Sequence, residues 1–172
     1  MKKLFQRLSN KLHLRTSTPA KEAGVDAAPG LTECFTRMAE SAMQLREAEL
    51  REFLTDRLTA LHNRANEPEQ WVLPAVDFLD ELGALEDYTA ADLAILAELA
   101  EAMQEALAGV GAELLSPPQW DPALQRAVKV NFVLESNAEP EVVKTFATGV
   151  KLAGRLLRKQ EVELNMPSSP SH

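Results

Sequence analysis

The sequence predicts an α+β protein in which a long N-terminal helix and a helical dimerisation bundle precede a small C-terminal β-domain. Three observations carry that prediction. Apolar residues recur at helical spacing from Leu31 to Val110, glycines and prolines gather between Gly109 and Pro122, and the apolar period shortens to two from Val128 onward. The expected division is residues 1–30 as a basic amphipathic tail and linker, 31–111 as the helical dimerisation region, 112–166 as the β-domain and 167–172 as a tail.

Residues 1–15 place Leu4, Phe5, Leu8 and Leu12 at helical spacing among Lys2, Lys3, Arg7, Lys11 and Arg15, with no acid. This reads as a short basic amphipathic helix, either a frayed solvated end or a segment that docks on an anionic membrane surface or a partner. Residues 16–30 supply Thr, Ser, Pro, Ala and Gly without an apolar period, as a linker does.

From Leu31 to Arg64 the apolar positions are Leu31, Phe35, Met38, Ala42 and Leu45, then Leu50, Leu54, Leu58 and Leu61. The spacing predicts one helix roughly 50 Å long at about 1.5 Å per residue. The step from Leu45 to Leu50 breaks a strict heptad, so a coiled coil requires a local stutter there. A helix of that length exceeds what one small domain covers, and pairing with a second chain is expected. Asn66 can cap a second helix beginning near Pro68, which carries Trp71, Leu73, Val76, Leu79 and Leu82, with Pro74 as a kink position. Thr89 and Asp92 resemble a capping box for a third helix, whose stripe is Leu93, Leu96, Ala100, Met103, Leu107 and Val110. The expected dimer seam is Leu54, Leu58, Leu61, Leu96, Met103 and Leu107.

Gly109 and Gly111 stop that helix, and Pro117, Pro118 and Pro122 prevent its resumption. Val128, Val130, Phe132 and Leu134 then alternate with Lys129, Asn131 and Val133, which predicts a strand with one buried face. Gly149 and Gly154 punctuate two further short extended runs that end in Val162 and Leu164, and suit turn or bulge positions.

Composition narrows the function. Of 172 residues, 45% are hydrophobic, 26% charged and 5% aromatic, an ordinary balance for a soluble domain. The net charge of −8, more negative still outside the basic first fifteen residues, opposes binding to nucleic acid. Cys34 is the only cysteine, so neither an internal disulfide nor a thiolate zinc cluster is available, and a cytoplasmic location is expected. No apolar run reaches the roughly 20 residues of a membrane span, nor does the start carry a signal-peptide core.

Catalytic patterns are lacking. His13, His62 and His172 form no ligand set or triad with Cys34, and Gly109-Val110-Gly111 is a helix stop rather than half of a dinucleotide fingerprint. The acid pairs Asp77/Asp80 and Glu98/Glu101 lie at helical spacing and read as solvated faces. The expectation is a protein that is not an enzyme, with no metal and no cofactor.

Three stretches resemble the GrpE family. Thr148-Gly149-Val150-Lys151-Leu152-Ala153-Gly154-Arg155-Leu156-Leu157-Arg158 is similar to the family's Gly-Tyr-x-Leu-x-x-Arg-x-Leu-Arg signature. Trp120-Asp121-Pro122-Ala123-Leu124-Gln125-Arg126-Ala127-Val128 is similar to its Phe-Asp-Pro-x-x-His-x-Ala-Val, and Leu73-Pro74-Ala75-Val76-Asp77-Phe78-Leu79 to its Leu-Leu-Pro-x-x-Asp-x-Leu. They occur in the family's order across roughly residues 70–165. Val150 stands where the family has tyrosine, Gln125 where it has histidine, and Lys159-Gln160-Glu161 where it has Pro-Ala-hydrophobic.

The resemblance implies a homodimeric nucleotide exchange factor, with a role in protein folding and the stress response, whose β-domain binds and opens the nucleotide-binding domain of a DnaK-type chaperone and releases ADP. It assigns partner binding to Trp120, Pro122, Phe146 and Leu164. Trp120 equally suits a plug in the sheet core, and core packing is the favoured alternative for Phe146 and Leu164. Arg155 and Arg158 read as braces that meet carboxylates. The alternative function is a GrpE-derived interaction or scaffold protein without exchange activity, tethered through its basic N-terminus.

Overall fold

A computed structural model describes residues 30–65, 67–117, 119–133 and 139–167. The expected basic helix at residues 1–15, the linker before Gly30, the Asn66 cap, Leu134, His13 and the 168–172 tail all lie outside the described residues. The described chain is α+β, with four helices followed by six strands in two three-stranded sheets.

Helix α1 spans Leu31–Ala42, α2 Ala48–His62, α3 Pro68–Ala84 and α4 Ala90–Gly109. The single long helix expected over Leu31–Arg64 is therefore two helices. They part at Met43–Glu47, where the five-residue step from Leu45 to Leu50 forbids one continuous stripe. The last amides of α1 tighten onto Ser41 and Ala42, Leu45 is buried, and the Arg46 amide donates to Asp92 Oδ1 at 2.9 Å. Asp92 completes the start of α4. Its own amide donates to Thr89 Oγ1 at 3.2 Å, and its second oxygen accepts the Thr89 hydroxyl at 2.6 Å. The Thr89 hydroxyl thus caps α4, and the Asp92 carboxylate holds that hydroxyl and pins the α1–α2 turn against the helix.

The turn lets all four helices share one core. Helix α1 packs on α4 and α2, and α3 on α2 and α4. Phe35 of α1 meets the Trp71 ring edge-on at 5.9 Å and stacks with His62 at 5.6 Å. Arg57 and Glu81 form an ion pair between α2 and α3. Pro74 sits inside α3, which nonetheless runs unbroken to Ala84.

This packing overturns the expected dimer seam. Leu54, Leu58, Leu61, Leu96, Met103 and Leu107 are each 0–4% exposed within a single chain. A seam side chain is open to solvent in the isolated protomer, and these six are covered by the protomer's own helices.

Helix α4 ends at Gly109, and Gly111 takes φ +79°, a left-handed turn that suits glycine. Strand β1 (Ala112–Leu115) follows, then β2 (Gln125–Val133), β3 (Glu141–Ala147), β4 (Gly149–Leu152), β5 (Arg155–Arg158) and β6 (Gln160–Pro167). One sheet has the order β1-β4-β5 and the other β2-β6-β3, where β6 runs parallel to β2 and antiparallel to β3. The β4–β5 turn places Ala153 at φ 50° and Gly154 at φ 79°. Gly149 serves a different purpose from the expected turn. A Cβ there would lie 2.6 Å from the backbone nitrogen of Gln160 and 3.1 Å from Leu115 Cβ, so only glycine lets the two sheets cross so closely.

Candidate functional site

The two sheets differ in how they use apolar side chains. Val150 and Leu152 of β4 join the helical core. In the β2-β6-β3 sheet, Val162 and Leu164 of the central strand are buried, while Val128, Val130, Phe132, Val143 and Phe146 on the flanking strands are 42–75% exposed. Of the strand expected from Val128 to Leu134, the described part, Val128–Val133, lies in β2, but Val128, Val130 and Phe132 are exposed where one buried face was expected.

Register explains the exposure. Lys129 pairs with Glu163 and Asn131 with Asn165 on one face, while Val130 and Val142 flank Leu164, and Phe132 faces Met166, on the other. Three interruptions fall between Ala127 and Lys129, between Val142 and Lys144, and between Thr145 and Ala147. The residues left over are Val128, Val143 and Phe146, all exposed. An extra residue in one strand turns its side chain away from the ladder, and here each such position carries an apolar group.

The polar face is closed by its own charges. Lys129 Nζ and Asn131 Nδ2 each reach Glu163 Oε1 at 2.7 Å, and Arg126 pairs with Glu161. The Lys129 hydrogen bond, then that from Asn131, holds the Glu163 carboxyl below its ordinary value of 4.5. Lys144 Nζ lies 4.9 Å from the centre of the Phe146 ring, a cation–π contact that leaves the ring 44% exposed.

A buried hydrogen-bond chain fixes this sheet to the Asp-Pro loop. Gln125 Nε2 donates to Gln160 Oε1 at 2.8 Å, Gln160 Nε2 donates to Thr145 Oγ1 at 2.9 Å, and Gln125 Oε1 accepts the Asp121 amide at 2.7 Å. Lys159 Nζ holds the Pro122 carbonyl at 2.6 Å, and the Asp121 side chain accepts the Ala123 amide at 2.8 Å. Gln125 and Gln160 are 1% and 2% exposed, so each amide is matched where an unmatched one would be costly. Sequence reasoning missed this pair because its members are far apart in the chain and neither glutamine carries a local signal.

Of the four expected contact residues, Pro122 and Phe146 are exposed, Trp120 is half-buried and Leu164 is buried. The glutamine chain brings the Pro122 loop and Phe146, which follows Thr145, to the same end of the sheet. Leu164 is corrected to a core residue, since it sits on the central strand between Val130 and Val142.

Two of the three stretches that carry the family resemblance also meet. Arg158 pairs with Asp77 and lies 3.5 Å from Asp80, joining the last residue of the glycine-arginine stretch to the Leu-Pro-x-x-Asp stretch on α3. Arg155 reaches Glu69 at 2.6 Å. Asp77 and Asp80 are therefore anchor points for an arginine, where a solvated face was expected.

Two open clefts of about 410 and 300 Å³ lie elsewhere, beside the α3–α4 turn and along the start of α2. The first includes Asp92, whose carboxyl is held below its ordinary value of 3.8 chiefly by the Thr89 hydroxyl and then by the Arg46 amide. Among the described residues no group of three His, Cys, Asp or Glu is placed to hold a metal ion, and no helix is long and apolar enough to cross a membrane. Comparison with protein-family models and with curated proteins gives no match to the chain.

Proposed function

We propose that the chain acts by binding protein, as a GrpE-like nucleotide exchange factor whose β2-β6-β3 sheet docks on the nucleotide-binding domain of a DnaK-type chaperone and favours its open, ADP-releasing form. The observation that carries the reading is the set of apolar side chains turned outward at the three register interruptions, Val128, Val143 and Phe146, beside exposed Val130 and Phe132. Large apolar groups on a firmly held sheet lose little conformational freedom on binding and remove much area from water. The contact between two of the family-like stretches, Arg158 with Asp77, supports the same reading.

The mechanism requires no bond-making chemistry. An exchange factor acts by preferring one shape of its partner, since equal affinity for two shapes shifts nothing. Tenfold faster ADP release corresponds to about 1.4 kcal/mol of preference for the transition state of opening. One chain carries the whole docking sheet, and the reading does not depend on a second copy.

The test is release of a fluorescent ADP from a DnaK-type chaperone, measured with the full chain and with Phe146→Ser. The expected result is saturable acceleration that the substitution weakens without lowering the melting temperature. Binding to the chaperone with unchanged ADP release would establish the scaffold alternative instead. No binding at saturating protein would remove the exchange-factor reading.

A further inference from the structure

Two consecutive residues, Thr148 and Gly149, link α3 to the second sheet. The Thr148 amide donates to Asp80 Oδ2 at 3.0 Å and its hydroxyl to Asp80 Oδ1 at 2.5 Å. Arg158 Nε donates to the Thr148 carbonyl at 2.9 Å, and its guanidinium spans Asp77 and Asp80, one helical turn apart on α3. Thr148 is thus fastened to the helix through its amide, its hydroxyl and its carbonyl. The next residue, Gly149, is pressed against the backbone of Gln160, the first residue of the central strand of the other sheet. Arg158 itself lies two residues before Gln160 in the chain.

We infer that Thr148–Gly149 is a coupling junction through which α3 sets the position of the β2-β6-β3 sheet, with Asp80 and Arg158 as its positioning residues. The side chains of Asp80 and Arg158 are 24% and 22% exposed, so the pair is less screened than Arg155–Glu69, at 64% and 73%. The other ties of the first sheet to the helices include the Arg155–Glu69 pair, the packing of Val150 and Leu152 in the helical core and the run of α4 into β1. Residues 148 and 149 give a direct route from α3 to β6, since Asp80 holds Thr148 and Gly149 abuts Gln160. The consequence for chaperone binding rests on the docking role proposed above, and the structural coupling does not.

The experiment is amide hydrogen exchange on the full chain, comparing wild type with Asp80→Asn, Arg158→Met and the double variant. Each single variant is expected to speed exchange over residues 148–152 and over Val162–Leu164 by about tenfold, as for loss of a hydrogen bond to a charged group. Leu99–Met103 of α4 should keep its protection. The double variant should exceed neither single variant by much, the non-additivity of groups acting as one unit. Additive effects, faster exchange confined to 148–152, or equal loss of protection in α4 would each overturn the junction. Should Asp80→Asn fail to fold, Thr148→Val removes only the hydroxyl bond and is read the same way. Affinity for the chaperone is measured alongside. If the wild-type chain does not bind it, the docking reading falls while the exchange pattern still decides the coupling.

Discussion

The helical half and the β2-β6-β3 sheet treat apolar side chains in opposite ways. In the helices, Leu54, Trp71 and Met103 are fully covered, and few large apolar groups, Met43 and Phe53, stand out. In the sheet only the central strand is covered, and Phe132 is 75% exposed. Helical stripes that a reader of the sequence gives to a partner are spent on the chain's own fold, whereas strand residues that look like core face the solvent. The difference places buried apolar area in one region and, on the docking role proposed above, recognition in the other.

The sharpest break of that comparison is Leu54→Asp. Loss of a buried leucine side chain alone costs about 2–5 kcal/mol, and an unpaired carboxylate in its place adds a desolvation cost. Against a total domain stability of about 5–15 kcal/mol, the variant is expected to unfold, seen as collapse of the helical circular dichroism signal. A folded variant whose mass falls by half in sedimentation would return Leu54 to a seam between copies. Gly149→Ala comes next. Its methyl would press on the Gln160 backbone, and overpacking of this kind costs about 1–3 kcal/mol. Urea unfolding should show a lower midpoint with an unchanged slope.

Legibility in the sequence follows the same divide. The helical stretches were visible because their stripes hold a helical period over several turns, although α1 and α2 read as one helix, and the α4 cap was visible because Thr89 and Asp92 lie three residues apart. The Leu45–Leu50 step was visible too, but a stutter and a chain reversal leave the same spacing. A stripe also states that something covers it, not whether the cover belongs to the same chain. The sheet was harder. Each interruption shifts the alternation by one residue, so inward and outward positions exchange without any change in composition. The Gln125–Gln160 bond and the tie of Asp77 and Asp80 to Arg158 join residues distant in sequence, and no local pattern announces them. Exposed Phe146 and Pro122 were singled out through the family resemblance, whereas the exposure of Val128, Val143 and Phe132 was not foreseen.

A smaller effect sharpens the comparison through acid. Thr89→Ala removes an N-cap, worth about 1 kcal/mol, and also the strongest influence on Asp92. Asp92 in the helices and Glu163 in the sheet both have carboxyls held below their ordinary values of 3.8 and 4.5. Their contribution to stability is present above those values and is lost as pH falls through the lower values of the folded protein. Thr89→Ala should flatten the acid dependence arising from Asp92, and Lys129→Met that from Glu163. Equal flattening of both sites by either substitution, measured as unfolding midpoint against pH, would contradict their independence.

The smallest effect on stability is expected where the effect on binding is largest. Phe132 has 75% of its surface in water already, so Phe132→Ser gives up little burial and should change the unfolding free energy by no more than about 0.5 kcal/mol. If the sheet is a docking face, the same change removes an aromatic group from the contact, and such anchors account for about 2 kcal/mol or more of binding when truncated. The two measurements separate the roles that one side chain can play. A loss of stability with binding intact would put Phe132 in the fold, and the outward rows of this sheet would then belong to the core after all.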